Sequence, residues 1–370
     1  MILHLLTDEK FTDYVLKQFS EPEMCSDFVL VSYNSHLVYA TPQPNMRVIR
    51  PNSKDFQILL NHLNDYNAVV LHGLFFPWQG QVLRVVPATV KVAWVFWGGD
   101  IYGRKDIFAD YLSSSSKTLL FIQQLKRRLK CKKTQPRYEV PFELLKRIDF
   151  CLTDVPEDFE FVKGYLKTGI KELWYNYYSV EETIGNLESF RCNGNNILVG
   201  NSSSLECNHL DGLRAVRRLQ LAPEVKVYVP LSYGESWLRK EISYKGHKML
   251  GNCFHPLSTF LARDEYNQII RSCSVAIMPH YRPQAFGNIL TALWLGTRVY
   301  LSSHNSLYPF FKRIGAIIFS LEADFDSSNE WALKPLSDEE TEINRHVISS
   351  LYSSEEMYRK NLFIVQTLDS

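Results

Sequence analysis

Residues 275–301, VAIMPHYRPQAFGNILTALWLGTRVYL, contain the pattern that decides the fold. Residues 275–278 and 298–301 are short apolar runs typical of buried strands, and residues 288–295 between them have the composition of a helix. Gly296 follows this helix at the position where a glycine commonly ends one. A strand, a helix and a second strand in this order are typical of parallel strands in one sheet.

The same alternation of strands and helices extends over most of the chain. Further apolar runs that predict buried strands occupy residues 2–6, 28–33, 68–72, 90–97, 150–153, 196–200 and 225–229. A polar stretch with several Gly and Asn residues, 181–195, separates two series of these runs. Because 370 residues fit two α/β domains, we predict two Rossmann-like domains, 1–190 and 191–370, with parallel sheets that face a central cleft.

Composition and charge argue against several classes of protein. Apolar residues make up 45% and charged residues 22% of the chain, as in globular proteins, and no window reaches the roughly 18 apolar residues of a membrane-spanning helix. The first residues lack a basic segment, so we predict a first strand, no signal peptide and a cytoplasmic protein. A net charge of +1 argues against a general nucleic-acid binder. The 7 cysteines form no Cys-x-x-Cys pair, which argues against a zinc site or a disulfide framework.

The loop and helix start at residues 279–288 predict a diphosphate-binding site. The loop closes at Gly287, so that backbone N–H groups and the positive end of the helix point to one place. We predict that Gln284, Phe286, Gly287 and Asn288 bind a diphosphate there without a metal ion. An ordinary strand, loop and helix of an α/β sheet explains the same spacing equally well.

A second polar loop follows the first strand of the predicted second domain. Gly200, Asn201 and Ser202 offer backbone, amide and hydroxyl groups at the carboxyl end of that strand, where α/β folds bind ligands. Tyr233 follows the next strand and can contact a base or a phosphate. We predict that these four residues bind the phosphate or ribose of a nucleotide. A polar turn that caps the next helix, and a tyrosine that only packs, are the alternatives.

Asp100 and His72 are the candidate catalytic residues of the predicted first domain. Asp100 follows a buried strand and two glycines, and a carboxylate on such a loop can accept the proton of an attacking hydroxyl. His72 ends the preceding strand, so the two side chains can open onto the same cleft. An N-cap role for Asp100 and a hydrogen-bonded core position for His72 are the alternatives.

A basic region lies in the middle of the first half of the chain. Residues 117–147 contain ten Lys and Arg residues against two acidic residues, and an apolar run at 119–122 precedes the densest charge at 126–133. Such a segment can lie on an anionic membrane surface, where each cation adds on the order of 1 kcal/mol near the lipid headgroups. We predict a peripheral position on the inner face of the cytoplasmic membrane. A solvated helix and loop is the alternative.

Several short motifs in a fixed order resemble those of a known family. They are His72-Gly73, Trp97-Gly98-Gly99-Asp100-Ile101-Tyr102, residues 198–202 followed by Asn208-His209, and residues 229–233. On these motifs the chain resembles the TDP-N-acetylfucosamine:lipid II N-acetylfucosaminyltransferase family, from the first strand to about residue 301. The resemblance implies a GT-B fold, a dTDP-activated 4-acetamido-4,6-dideoxygalactose as the donor, and inversion at the anomeric carbon without an essential metal or other cofactor.

The resemblance also implies the partners of the reaction. The acceptor is a saccharide linked to undecaprenyl diphosphate in surface polysaccharide biosynthesis, and it is bound by residues 1–190, while residues 191–370 bind the nucleotide sugar. By matching positions, Gly200, Asn201, Ser202 and Tyr233 lie around the donor, and Asp100 lies in the acceptor half. The residues leave three alternatives open: another donor such as GDP-fucose, a non-catalytic nucleotide- or carbohydrate-binding protein of the same fold, and a nucleotide-sugar epimerase or phosphorylase.

Overall fold

The computed structural model describes residues 1–129, 138–326, 328 and 330–370. These residues form two compact units. The first unit takes its described residues from Met1–Arg104, Gln135–Ser179 and Ser354–Ser370, and the second takes its own from Lys105–Thr134 and Val180–Ser353.

Each unit is a parallel sheet with helices, as the alternating pattern predicts. In the described residues, the strands of the first unit are β1 Ile2–Leu6, β2 Ser26–Val31, β3 Met46–Ile49, β4 Ala68–His72, β5 Lys91–Val95, β6 Phe150–Thr153 and β7 Lys171–Trp174. Those of the second unit are β8 Asn196–Val199, β9 Val227–Pro230, β10 Phe254–Leu257, β11 Cys273–Met278, β12 Arg298–Leu301 and β13 Phe319–Ser320.

α-Helices connect most of these strands. In chain order they are α1 Thr12–Phe19, α2 Lys54–Asn61, α3 Pro77–Val85, α4 Gly99–Tyr102, α5 Ser114–Leu129, α6 Phe142–Leu145, α7 Pro156–Leu166, α8 Val180–Ile184, α9 His209–Arg217, α10 Ser236–Leu250, α11 Arg263–Arg271, α12 Phe286–Trp294, α13 Leu307–Arg313, α14 Asp338–Tyr352 and α15 Ser354–Asp369. Within the described part of the chain, no helix has the length and apolar character needed to cross a membrane.

Both sheets have the strand order of doubly wound α/β folds. The first sheet runs β3-β2-β1-β4-β5-β6-β7 and the second runs β10-β9-β8-β11-β12-β13, with parallel neighbours throughout. In the second sheet the strand order reverses between β8 and β11, so the connections after these two strands leave in opposite directions. A crevice at such a switch point is where α/β sheets bind ligands.

The two units do not follow the predicted boundary near residue 190. The change from first to second unit lies at Ser179 and Val180, and two further segments change sides. The segment containing α5 joins the second unit because Leu112 and Leu119 pack in that unit's core. The last helix, α15, joins the first unit because its apolar face packs in the first core. Burial of apolar side chains, and not position along the chain, decides which unit each segment joins.

The end of α12 confirms one local prediction. The helix ends at Trp294, and Gly296 has a φ of +77°, a conformation that L-residues rarely adopt. A Cβ at this position would also lie 2.5 Å from Oγ1 of Thr341 on α14. Glycine is therefore required both by the backbone conformation and by the close approach of α14.

Candidate active site

The candidate donor site lies at the carboxyl edge of the second sheet, where the connections after the neighbouring strands β8 and β11 leave in opposite directions. The loop after β8 begins with Gly200, whose φ of +70° favours glycine. A Cβ on Gly200 would lie 3.2 Å from the ring of His209, the first residue of α9. The tight turn and the buried histidine beneath it thus fix the direction in which the loop leaves the strand.

The structure brings Tyr233 together with Asn201 and Ser202, from which the sequence separates it. The loops after β8 and β9 are joined by backbone hydrogen bonds, from Ser203 N to Tyr233 O at 2.8 Å and from Glu235 N to Ser203 O at 2.8 Å. The phenol of Tyr233 is hydrogen-bonded to the side chains of Asn201 and Ser202. These side chains form one polar surface at the predicted position.

The loop after β11 leads into α12 through a left-handed residue. Ala285 has a φ of +62°, and the first bond of the helix runs from Ile289 N to Ala285 O at 2.9 Å. Gly287 therefore lies in the first turn, where helix N–H groups point outward along the axis. Asn288 donates a side-chain hydrogen bond to the hydroxyl of Tyr266 at 3.0 Å, which fixes its orientation.

Gln284 and Phe286, on the same loop, differ in what they can do. The amide nitrogen Nε2 of Gln284 is buried and has no hydrogen-bond partner in the described structure, so it can donate to a ligand. Phe286 packs instead against Phe311 and Tyr352, with ring centroids 5.9 and 5.1 Å apart. Its ring therefore anchors the start of α12, and only its backbone is suited to contact a phosphate.

Arg282 is a site residue that the sequence prediction missed. Its guanidinium, with 13% of the side chain exposed, contacts the carboxylate of Glu206 at 3.4 Å and donates to the carbonyl of Pro283 at 2.9 Å. The Nε of Arg282 is buried without a partner in the described structure. A held guanidinium beside the start of α12 supplies the positive charge that a diphosphate needs. Its place inside the loop at residues 279–288 was the available signal.

Two buried histidines lie beneath the same loops. Burial lowers the pKa of His209 to about 4 and, together with the nearby Arg282, lowers the pKa of His280 to about 3. Nδ1 of His280 lies 2.6 Å from Nδ2 of Asn305, while Nε2 of each histidine has no partner among the described residues. Both imidazoles are therefore neutral at neutral pH, and they support the loops without adding charge.

A pocket of about 370 Å³ adjoins the loop after β11, within the second unit. It is lined by Asp110, Tyr111, Leu112, Ser113, Ser114, Lys117, Tyr281 and His304. Asn208 holds the segment before α5 in place: its Oδ1 accepts from Ser113 N at 2.9 Å, and its Nδ2 donates to the carbonyls of Tyr111 and Pro279, both at 3.3 Å. Hydroxyls, aromatic rings and charged groups in one small pocket suit a polar ligand such as a sugar.

In the first unit, Asp100 lies in the first turn of α4 and is nearly buried. Its Oδ2 accepts a hydrogen bond from the indole Nε1 of Trp94 at 2.8 Å and a longer one from the backbone N of Trp97 at 3.4 Å. These donors fix the plane of the carboxylate at the carboxyl edge of the first sheet. The arrangement is compatible with a general base and equally with a purely local structural role.

His72 lies in the core of the first unit. Its Nε2 is 3.1 Å from Nδ1 of His4, and its Nδ1 is 3.2 Å from the hydroxyl of Tyr177. Burial, followed by the neighbouring His4, holds the pKa of His72 well below its usual range. Tyr177 also bonds to the indole of Trp97, so hydrogen bonds link His72 to Asp100 through these two aromatic residues. This geometry favours the core position that the sequence left open as an alternative.

The described residues contain no group of three or more His, Cys, Asp or Glu side chains arranged to hold a metal ion.

Comparisons with known proteins agree with this architecture. Residues 147–329, just under half of the chain, match the family described as 4-alpha-L-fucosyltransferase glycosyl transferase group 56. Among solved structures, sucrose-phosphate synthase from Thermosynechococcus elongatus matches with a TM-score of 0.62 and 12% identity, over 99% of this chain and 98% of that chain. Anabaena HepE, solved in complex with UDP and glucose, matches with a TM-score of 0.61 and 12% identity over the same shares.

A glycosyltransferase from Rickettsia africae gives a TM-score of 0.61 and 12% identity, over 99% of this chain and 98% of that chain. Because the identities are low, these structures support the fold alone, whereas the family match is a similarity of sequence. The matched residues contain Gly200, Asn201, Ser202, Tyr233 and residues 282–288, but not the lining of the adjoining pocket at residues 110–117, nor Asp100 or His72. The two parallel sheets and the group 56 match together identify the protein as a glycosyltransferase with the GT-B fold.

Proposed function

We propose that the protein transfers a deoxyamino sugar, of the 4-acetamido-4,6-dideoxygalactose type, from a dTDP-linked donor to a saccharide carried on undecaprenyl diphosphate. The observation that carries the donor half of this proposal is the convergence of Asn201, Ser202 and Tyr233 with Arg282 and the start of α12. The match to a family described as fucosyltransferases favours a deoxysugar of the fucose type as the transferred group. GDP-fucose is the alternative donor.

The proposed reaction needs the second unit to stabilise a leaving group. The acceptor hydroxyl oxygen forms a bond to the anomeric carbon while the bond from that carbon to the diphosphate oxygen breaks, which inverts the configuration. Negative charge then develops on the nucleoside diphosphate, and Arg282 and the N–H groups at the start of α12 can stabilise this charge. The proton of the attacking hydroxyl passes to a general base, for which Asp100 stays the candidate.

The pocket beside Tyr281 is our candidate for the sugar. It adjoins the loop that carries Arg282, and its volume of about 370 Å³ lies within the usual range of small-molecule sites. Ser113, Ser114 and Asp110 can exchange hydrogen bonds with sugar hydroxyl or acetamido groups, and the tyrosine rings can pack on the apolar face of a deoxysugar.

Nucleotide selectivity is the first test of the donor assignment. We would measure the melting temperature of the protein with dTDP, UDP, GDP and CDP, each with magnesium and with a chelator. A ligand at about 100 times its Kd adds about 2.7 kcal/mol of stability. Stabilisation by dTDP in the presence of chelator is the expected result. Stabilisation by GDP alone would replace the donor with a GDP-sugar.

Turnover separates an enzyme from a binding protein of the same fold. Protein that binds dTDP should transfer a labelled sugar from the dTDP-sugar to an undecaprenyl-diphosphate-linked saccharide, and should give no product without that acceptor. Nucleotide binding without transfer to any lipid-linked saccharide would favour the non-catalytic alternative.

A further inference from the structure

Helix α5 of the second unit carries a stripe of exposed apolar side chains. Phe121, Ile122, Leu125 and Leu129 are 65%, 41%, 48% and 78% exposed. At 3.6 residues per turn, these four positions lie within about 100° of arc on one side of the helix. Single exposed apolar residues are common on protein surfaces, but four large ones on one helix face mark a binding surface.

The opposite side of α5 is the side that packs on the protein. Leu119 belongs to the core of the second unit, and α5 contacts α9. Arg127, which the helical spacing also places on this inner side, reaches Glu235 at 3.9 Å. The apolar stripe therefore points away from the body of the unit, and the helix is folded onto the protein without using it.

Cationic side chains flank the apolar stripe on both sides. By helical spacing, Lys126 lies along one edge of the stripe, and Lys117 and Arg128 lie along the other. All three side chains are exposed. The predicted run of cations continues through residues 130–133, which lie outside the described residues.

We propose that α5 docks the protein on an anionic lipid surface, with the stripe of Phe121, Ile122, Leu125 and Leu129 in the interface and Lys117, Lys126 and Arg128 against the headgroups. An apolar stripe edged by cations matches the layered chemistry of such a surface, in which acyl chains lie beneath negative headgroups. A protein partner would need an apolar groove bordered by acidic groups on both edges, whereas a bilayer supplies both features without a dedicated site. This inference goes beyond the proposed transfer reaction and does not depend on it.

Vesicle flotation with the full chain tests the proposal. We expect the wild-type protein to bind vesicles of phosphatidylcholine with phosphatidylglycerol at least tenfold more strongly than vesicles of phosphatidylcholine alone, and to be released by high salt. The double variant Phe121→Ser with Leu125→Ser should bind the anionic vesicles at least tenfold more weakly. The matched control, Ile58→Ser with Ile343→Ser, removes two similarly exposed side chains elsewhere and should bind like the wild type.

A second variant separates charge from apolar contact. The triple variant Lys117→Gln, Lys126→Gln and Arg128→Gln should lose the preference for anionic vesicles, whereas the control Arg218→Gln, Lys240→Gln and Lys248→Gln, with the same charge change on exposed sites, should keep it. Equal binding by the α5 variants and their controls would overturn the proposal. A wild-type dimer that the Phe121→Ser, Leu125→Ser variant converts to a monomer would assign the stripe to self-association instead. Unchanged melting temperatures would show that the variants are folded.

Discussion

His72 donates a hydrogen bond from Nε2 to Nδ1 of His4, across 3.1 Å. The direction of this bond follows from Ser26, which contacts the other ring nitrogen of His4. The hydroxyl of Ser26 has one hydrogen, and it donates this hydrogen to the carbonyl of Met24 at 2.9 Å. At its 3.3 Å contact with His4, that hydroxyl must therefore accept from Nε2, which leaves Nδ1 of His4 as an acceptor. His72 in turn accepts at Nδ1 from the hydroxyl of Tyr177 at 3.2 Å.

The hydrogen bond between Trp97 and Tyr177 is consistent with this assignment of donors and acceptors. The indole of Trp97 can only donate, so its bond to Tyr177 leaves the tyrosine hydrogen free to be given to His72. A single assignment of hydrogens thus satisfies both imidazoles in their neutral forms. Both ring nitrogens of His72 are engaged within the protein, which is the reason to expect a structural role for it.

Replacing His72 by leucine should lower stability and leave nucleotide affinity unchanged. The substitution strands the hydroxyl hydrogen of Tyr177 and the acceptor Nδ1 of His4, and each stranded buried group costs about 1–3 kcal/mol. We expect a loss of about 2–6 kcal/mol in the free energy of unfolding, measured with guanidinium. His62→Leu, at an exposed site, is the control. A fully stable His72→Leu protein that has lost transfer activity would restore the catalytic assignment.

Stability should fall as the pH drops below about 6.5, the usual pKa of an unfolded histidine. Burial lowers the pKa of His4 and His280 to about 3 and that of His209 to about 4, and it lowers the pKa of His72 as well. Between these values and 6.5 the unfolded chain binds more protons than the folded chain, so acid favours unfolding.

Each of these buried imidazoles contributes up to about 1.4 kcal/mol per pH unit over that window. Denaturation curves at pH 7.5, 6.0 and 5.0 should therefore show a steady fall in the free energy of unfolding. His209→Asn should flatten the slope, and His62→Gln should leave it unchanged. A flat profile in the wild type would show that the imidazoles are accessible to protons in the folded protein.

Substitution of Arg282 by glutamine should weaken the binding of nucleoside diphosphates. Hydrogen bonds to charged groups contribute about 1.5–3 kcal/mol, so we expect a loss of about tenfold to a hundredfold in affinity by calorimetry. Glu206→Gln removes the negative charge beside the guanidinium but keeps an acceptor oxygen, so it should cost less, while Arg218→Gln is the control for charge alone. If Arg282→Gln and Arg218→Gln bind dTDP equally well, the diphosphate lies elsewhere.

Asp100→Asn tests the general base. The amide oxygen can still accept from the indole of Trp94, so local structure should persist while the proton acceptor is lost. We expect transfer to fall by about 10²- to 10⁴-fold with unchanged dTDP affinity. Asp65→Asn, at an exposed site in the same unit, should be fully active. Loss of both transfer and folding in Asp100→Asn would assign Asp100 to the structure of α4.

The sequence predicted the local structure better than the assignment of segments to units. The left-handed conformation at Gly296 and the strand at residues 2–6 follow from the residue types at those positions, and both predictions are confirmed. The sequence of α15 shows an apolar face that must pack against another element. Both sheets offer an apolar surface of the same kind, so the sequence could not indicate against which sheet α15 packs. The same limit applies to α5.

The donor site was predicted from its loops and missed in its buried parts. Gly200, Asn201 and Ser202 stand together in the sequence, and their pairing with Tyr233 follows from adjacent parallel strands. The contact between Arg282 and Glu206, in contrast, joins two loops through their side chains. Such a contact produces no periodic pattern in the sequence from which it could be predicted. His209 belongs to one of the short sequence motifs, but its position beneath Gly200 depends on the geometry of the turn.

The exchange of segments between the two units has a consequence for how the protein is made. Ile364, Val365 and Leu368 of α15 lie in the core of the first unit, whose strands all precede those of the second unit in the chain. Because α15 follows the second unit in the chain, the first unit lacks these three core side chains until the second unit has been synthesised. Expression of residues 191–370 alone would leave out α5 and retain α15 without the sheet that it covers. Neither unit of this transferase can therefore be obtained whole and alone by expressing one continuous stretch of the chain.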